Sequence, residues 1–312
     1  MINTKLVNKP IISDSLNNNR LNFDESFVYL LIDLKLETSK VNLHDPDKFQ
    51  IKTWLAFPES NKNFKHEELL ETFKIDRNYT QVEIEEKLYS LIEECNQKLE
   101  EIKPEQDFEI AIEWIIFDDW SSSSFDCWEY RHNKTIGCGP FFSVHIRSSQ
   151  RLHPMYKHCR KLWKNKWDEL YCNSQSINST QYILACECND KNEQDLQIID
   201  NEENPILGIN LPVKLESLEN LSYESFIEMG IPLILWSRCE DSTINHSTEL
   251  DNLINTDENN PLNFKTLPQS IKEMRSEARK LNQENSNHLG YHLCFLWENP
   301  YNYPEKELLN LE

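Results

Sequence analysis

Glycine is scarce: the 312 residues contain only five, at 137, 139, 208, 230 and 290. Loops that cradle phosphates need glycine so that backbone N–H groups can approach oxygen closely. Neither GxGxxG nor GxxxxGK[ST] occurs, which argues against a P-loop NTPase or a Rossmann dehydrogenase. Long apolar runs are also missing. No stretch of 18 apolar residues exists, so no membrane-spanning helix is expected. The polar, Asn-rich residues 1–22 lack the apolar centre of a signal peptide and read as a flexible tail. Positive charge is short as well, with 32 Lys and Arg against 53 Asp and Glu, a formal net charge of −21 and a pI near 4.9. Such a field repels phosphate and disfavours general nucleic-acid or anionic-membrane binding. The nine cysteines are odd in number, scattered, and unaccompanied by a secretion signal, so reduced thiols and a cytoplasmic location are expected.

What the chain does contain is regular patterning. Residues 27–36 (FVYLLIDLKL) form a strong strand pattern, and 49–57 (FQIKTWLAF) alternate like its hairpin partner. Thr80 and Glu83 make a capping box. Behind it Ile84, Leu88, Leu91, Ile92, Cys95, Leu99 and Ile102 keep helical spacing until Pro104. Further strands are expected over 108–117, 141–147, 181–187, 231–236 and 289–297. Helices are expected over 151–170, 222–229 and from Pro268, with loops at 189–204 and 240–263. The helix, strand, helix, strand order of 222–297 implies a parallel pair joined by a right-handed crossover. The predicted fold is α/β: a mixed sheet with an N-terminal antiparallel hairpin, C-terminal βα units and helices on both faces. Residues 23–312 read as one domain after the tail, with a sub-division conceivable near 175–205.

Candidate chemistry is sparse. The segment 131–170 holds nine Lys and Arg against Asp168 and Glu169. It reads as a solvated face that pairs with the acidic bulk, as a docking surface for a protein, or as a nucleic-acid site through Trp163 and Trp167. Cys186 and Cys188, with distant Cys172, lack the spacing of a zinc site, and His132, Cys138 and His145 lack a fourth ligand. His292 and Cys294, two apart on one strand, would share a side without touching. No GxSxG elbow is present. Glu113, Asp118 and Asp119 at a strand end resemble the acids of a metal-dependent nuclease, but no Glu-x-Lys follows on the next strand. No cofactor is expected.

Several segments, in order, resemble the C-terminal domain of vWA–MoxR associated proteins. They are Tyr29-Leu30-Leu31-Ile32, then Ile112-Glu113-Trp114-Ile115-Ile116-Phe117 with Asp126-Cys127-Trp128, then Val144-His145-Ile146-Arg147-Ser148-Ser149-Gln150-Arg151. A W-x-x-x-W helix (Trp163, Trp167) follows, and then Gly230-Ile231-Pro232-Leu233-Ile234-Leu235-Trp236-Ser237-Arg238. Leu267-Pro268 with Arg275, and Leu296-Trp297-Glu298-Asn299-Pro300, complete the series. Two departures from the family pattern stand out: Ile116-Phe117-Asp118 takes the place of the leucine-proline typical of the family, and Glu298-Asn299 stands where acids are usual. The resemblance implies a component of a bacterial, often cyanobacterial, conflict or signalling system. Such systems combine a MoxR-type AAA+ ATPase, a vWA-domain protein and this third member. It supplies no catalytic residues. The implied role is a non-enzymatic adaptor that couples the ATPase and vWA protein to an effector, with no membrane involvement. Trp163, Trp167, Trp236 and Trp297 would act as large interface anchors, and Arg147, Arg151 and Arg238 as bidentate contacts to carboxylates. The same residues would equally serve as core. A metal-dependent nuclease or other hydrolase, and nucleic-acid binding through 131–170, are the alternatives.

Overall fold

A computed structural model describes residues 27–36, 48–59, 63–74, 77–116, 125, 138–172, 183–185, 200, 205–212, 223–239, 244–254, 264, 266–281 and 287–304. Among the described residues ten strands form one mixed sheet. They are β1 (Phe27–Leu36), β2 (Lys48–Pro58), β3 (Phe64–Leu69), β4 (Tyr79–Thr80), β5 (Glu109–Ile116), β6 (Ser143–Ser148), β7 (Ile183–Ala185), β8 (Gly208–Leu211), β9 (Leu233–Ser237) and β10 (Leu293–Trp297). The spatial order is β3-β2-β1-β5-β6-β10-β9-β8-β7, with β4 paired to β2. The first hairpin, β1 with β2, is antiparallel, as its alternation predicts. Strands β1, β5, β6 and β10 run parallel to one another, and β7, β8 and β9 form a second parallel set.

These two sets meet at β9 and β10, which are antiparallel. The parallel crossover expected from 222–297 is therefore corrected. The chain leaves the sheet after Ser237 and re-enters at Leu293 on the same end, where the Arg238 N–H donates to the His292 carbonyl. Between them it passes through α4 (Ser247–Ile254), α5 (Leu267–Lys280) and the short α6 (Leu289–His292). An excursion that returns to its starting end reverses the strand. The last strand consequently starts at 293, and 289–292 is a helical turn.

Helices cover both faces. The long helix α1 (Gln81–Ile102) starts where expected: Thr80 Oγ1 accepts from the Glu83 N–H, while the Glu83 carboxylate reaches back to the Thr80 N–H. Its stripe of Ile84, Leu88, Leu91, Ile92, Cys95 and Leu99 is buried against Leu30, Ile32, Ile112, Trp114, Val144 and Ile146. Each such large side chain contributes about 1.5–3 kcal/mol through burial. The short α3 (Tyr223–Glu228) adds Phe226 to the same apolar layer.

On the opposite face, α2 (Arg160–Cys172), α4 and α5 pack against Leu31, Ile115, Leu233, Leu235, Phe295 and Trp297. The predicted helix over 151–170 opens instead as 3-10 turns, Gln150–Leu152 and Pro154–Cys159, because Pro154 interrupts it. Gly230 takes φ +65, and a Cβ there would lie 2.8 Å from the Trp163 backbone nitrogen. Only glycine lets the turn before β9 press this closely on α2.

Candidate functional site

Strand alternation sends Glu113 of β5 and Ser143, His145 and Arg147 of β6 to the α2 side. The parallel register sets Glu113 beside His145 and Ala111 beside Ser143. The segment 298–304 then folds over this polar row. Arg147, fully buried, donates to Glu113 Oε2 at 2.6 Å and to the carbonyls of Asn299 and Asn302. Its guanidinium lies 3.7 Å from the centre of the Tyr303 ring. Asn302 Nδ2 donates to the same Glu113 oxygen at 3.0 Å, and Asn302 Oδ1 lies 3.3 Å from His66 Nε2 on β3.

A second pair adjoins the first. Glu298, fully buried, accepts the Ser148 N–H at 2.7 Å and lies 3.4 Å from Arg151 Nε. The Tyr303 hydroxyl sits 3.2 Å from Glu298 Oε2. Arg151 also donates to the carbonyls of Ile227 and Ile231, and its guanidinium lies 5.0 Å from the Trp163 ring centre. Trp163 Nε1 donates to the Glu298 carbonyl at 2.8 Å.

Two arginines and two carboxylates thus form a buried cluster with no net charge. Desolvating each ion costs several kcal/mol, and only dense pairing and hydrogen bonding offset it. Burial pushes the Glu113 carboxyl up, but the Arg147 charge and the adjacent His145 and Arg147 contacts outweigh it and hold Glu113 below the usual carboxylate range. Burial drives the Tyr303 phenol up. Burial likewise pushes His145 down, so the ring is neutral. A fixed carboxylate, fixed guanidinium groups and a protonated phenol are suited to holding a structure, and none is poised to exchange protons near neutrality.

A cleft of about 380 Å³ opens beside this cluster at the start of β1, β5 and β6. Its floor is Tyr29, Ala111, Ser143 and His145, and its walls include Tyr171, Trp297 and the first turn of α5. Ser143 Oγ lies 3.2 Å from His145 Nε2, while His145 Nδ1 is 3.8 Å from Glu113 Oε1, beyond hydrogen-bond reach.

The tryptophans singled out by sequence lie inside the fold. Trp163, Trp167 and Trp297 are buried on the α2 side and Trp236 on the α1 side. Arg147 and Arg151 are spent on internal acids and carbonyls. Arg238 is half-buried and donates to the Tyr291 carbonyl at 2.9 Å and to Cys294 Sγ at 3.3 Å. Asp118, Asp119, Trp128 and His132 lie outside the described residues, as do Cys186 and Cys188. Among the described residues no group of three or more His, Cys, Asp or Glu is placed to hold a metal ion, and no helix is long and apolar enough to cross a membrane. Cys95, Cys138, Cys159, Cys239 and Cys294 form no disulfide among the described residues. His292 and Cys294 do not share a strand: His292 ends α6, where it stacks 5.5 Å from His246.

Glu298, Asn302, Tyr303 and a buried Ser237–His246 pair at 2.8 Å escape the sequence reading. His246 Nε2 meets the Asn287 carbonyl at 2.8 Å, so Nδ1 accepts the serine proton and the pair ties α4 to β9. The only sequence signal for Glu298 is its place in the closing motif.

The basic segment divides by depth. Lys166, Arg147 and Arg151 point inward, Lys166 onto Asp200 at 2.7 Å. Lys157, Lys161 and Lys164 are exposed, beside Met155 (61% exposed) and Leu162 (41%). Lys157 and Lys161 pair with no carboxylate among the described residues. A family model described as the vWA-MoxR associated protein C-terminal domain matches residues 47–300. No curated protein matches the chain.

Proposed function

This chain belongs to the vWA-MoxR associated protein C-terminal domain family, and from that premise we propose that it is a non-enzymatic docking module. It couples a MoxR-type AAA+ ATPase and a vWA-domain protein to an effector in the bacterial cytoplasm. The observation that carries this reading is the consumption of Glu113, Arg147, Arg151 and Glu298 by one another. Their charges stabilise the fold and leave none of the four free to act on a substrate. Trp163, Trp167 and Arg151 serve the interface from beneath by holding the 150–172 segment in place. The contacts themselves fall on its outer side, where Lys157, Lys161 and Lys164 flank Met155 and Leu162. Aliphatic anchors ringed by exposed ammonium groups complement an acidic, partly apolar protein surface.

Affinity purification from the native host, followed by mass spectrometry, tests the reading. An AAA+ ATPase or a vWA protein should be recovered with the wild-type chain. Recovery should fall at least tenfold with Lys157→Glu/Lys161→Glu, since like charges then face the acidic partner. Recovery of neither protein, or capture of nucleic acid with a steep salt dependence, overturns it.

A further inference from the structure

Residues 298–304 run along α2 and bring the chain to the edge of its exposed basic face. Tyr303 packs edge-to-face on Trp163, with ring centres 5.8 Å apart. The Tyr301 hydroxyl lies 2.9 and 3.0 Å from the two Asp168 oxygens, and its ring centre is 5.9 Å from Lys164 Nζ. Lys164 and Asp168 are four apart and share one side of α2. Lys164, Lys161 and Lys157 recur at intervals of three and four, so they form one exposed basic stripe that starts at the Tyr301 contact. Met155 and Leu162 add apolar surface to it.

Beyond Pro304, the last described residue, the sequence continues Glu305-Lys306-Glu307-Leu308-Leu309-Asn310-Leu311-Glu312. Three acids and three leucines in eight residues match the chemistry that this face complements. Eight residues reach at most about 27 Å from Pro304. The stripe from Lys164 to Lys157 is about 11 Å long at the helical rise. The other end of the chain offers no such match, because residues 1–26 carry three basic and three acidic residues. A tether this short holds a segment at millimolar local concentration, so even a weak contact fills the face.

We propose that residues 305–312 seat on Met155, Lys157, Lys161, Leu162 and Lys164 of the same chain and compete there with the acidic partner. The carboxylates pair with the lysines, and Leu308 and Leu309 cover the two apolar side chains. A partner then docks only by displacing the segment, and its apparent affinity falls by the fraction of chains with the face open. The competition rests on the docking role proposed above, whereas the seating does not.

Carbodiimide cross-linking of the intact purified protein, read by mass spectrometry, tests the seating. Glu305, Glu307 or Glu312 should join Lys157 or Lys161. In a mixture of isotope-labelled and unlabelled protein these links should stay within one chain. Leu308→Ser/Leu309→Ser keeps every acid and should lower their yield about threefold or more, since apolar burial then no longer holds the segment. Links to Lys164 alone, links between chains, or an unaltered yield in the variant overturn the proposal. Affinity purification with the same variant tests the competition. Recovery of the AAA+ ATPase or vWA protein should rise about threefold or more above wild type, and equal or lower recovery overturns the competition. A wild-type chain that recovers neither protein refutes the docking role and with it the competition, while the cross-links still decide the seating.

Discussion

Under α1 the sheet presents Leu30, Ile32, Ile112, Trp114, Val144 and Ile146, an apolar layer that meets an apolar helix stripe. Under α2 the intervening residues of the same strands include Glu113, Ser143, His145 and Arg147, all buried. One sheet therefore has two kinds of interior. The first is held by non-directional burial that tolerates conservative exchange. The second is held by directional pairing in which every partner is needed, because an ion left alone in the interior is far costlier than a lost methyl group.

The largest expected effect breaks the polar side. Arg147→Met leaves Glu113 buried without its counter-ion and should cost about 3–5 kcal/mol in denaturant unfolding. Adding Glu113→Gln to that variant should restore much of the loss, because the uncompensated charge disappears. Failure of the double variant to recover would mean that the arginine acts mainly through its carbonyl contacts. On the other side, Leu88→Ala should cost about 2–5 kcal/mol, with a value set by how far the layer collapses into the cavity. No second substitution on the sheet should rescue it, which is the sharpest contrast between the faces.

A smaller loss, about 1 kcal/mol, is expected for Thr80→Ala, which removes the α1 cap without touching either interior.

Acid should separate the faces without any substitution. The Glu113 carboxyl is held below its unfolded value, so its contribution is present above the ordinary carboxylate range and is lost as pH falls through the lower folded value. His66 gives a gentler slope at higher pH. Burial pushes its imidazole down to about 4 from 6.5. Between those values the unfolded chain binds a proton that the native chain refuses, so stability declines as pH drops through that window. His66→Gln should flatten the slope there, and an NMR titration of the wild-type ring should place its midpoint near 4.

The two interiors also differ in how openly the sequence announces them. The 3.6-residue spacing of Ile84, Leu88, Leu91, Cys95 and Leu99 and the Thr80–Glu83 box declare α1 and its buried side. The alternation of 27–36 and 49–57 does the same for the first hairpin. Arg147 and Glu113, by contrast, sit in otherwise apolar strands, where a charge suggests an exposed interface. Their partners Asn299 and Asn302 are more than 150 residues away, and no local pattern encodes so distant a pairing. The same blindness hid the antiparallel join of β9 and β10, since helix-then-strand order does not reveal at which end the chain returns. The short strand Phe64–Leu69, with its FKHEEL sequence, lacks clean alternation because it lies at the sheet edge, where charged side chains reach water. Helix α4 escaped notice in a polar stretch, where only Leu250 and Ile254 turn inward.

The position of residues 298–304 over the polar row has a consequence for biosynthesis. Strands β5 and β6 emerge from the ribosome long before the residues that complete the coordination of Arg147. Until then the guanidinium has neither of its carbonyl partners nor the Tyr303 ring. The α1 side also draws on late residues, among them Trp236, Cys294 and Leu296, so both interiors are completed only when the last strand and the segment behind it are in place.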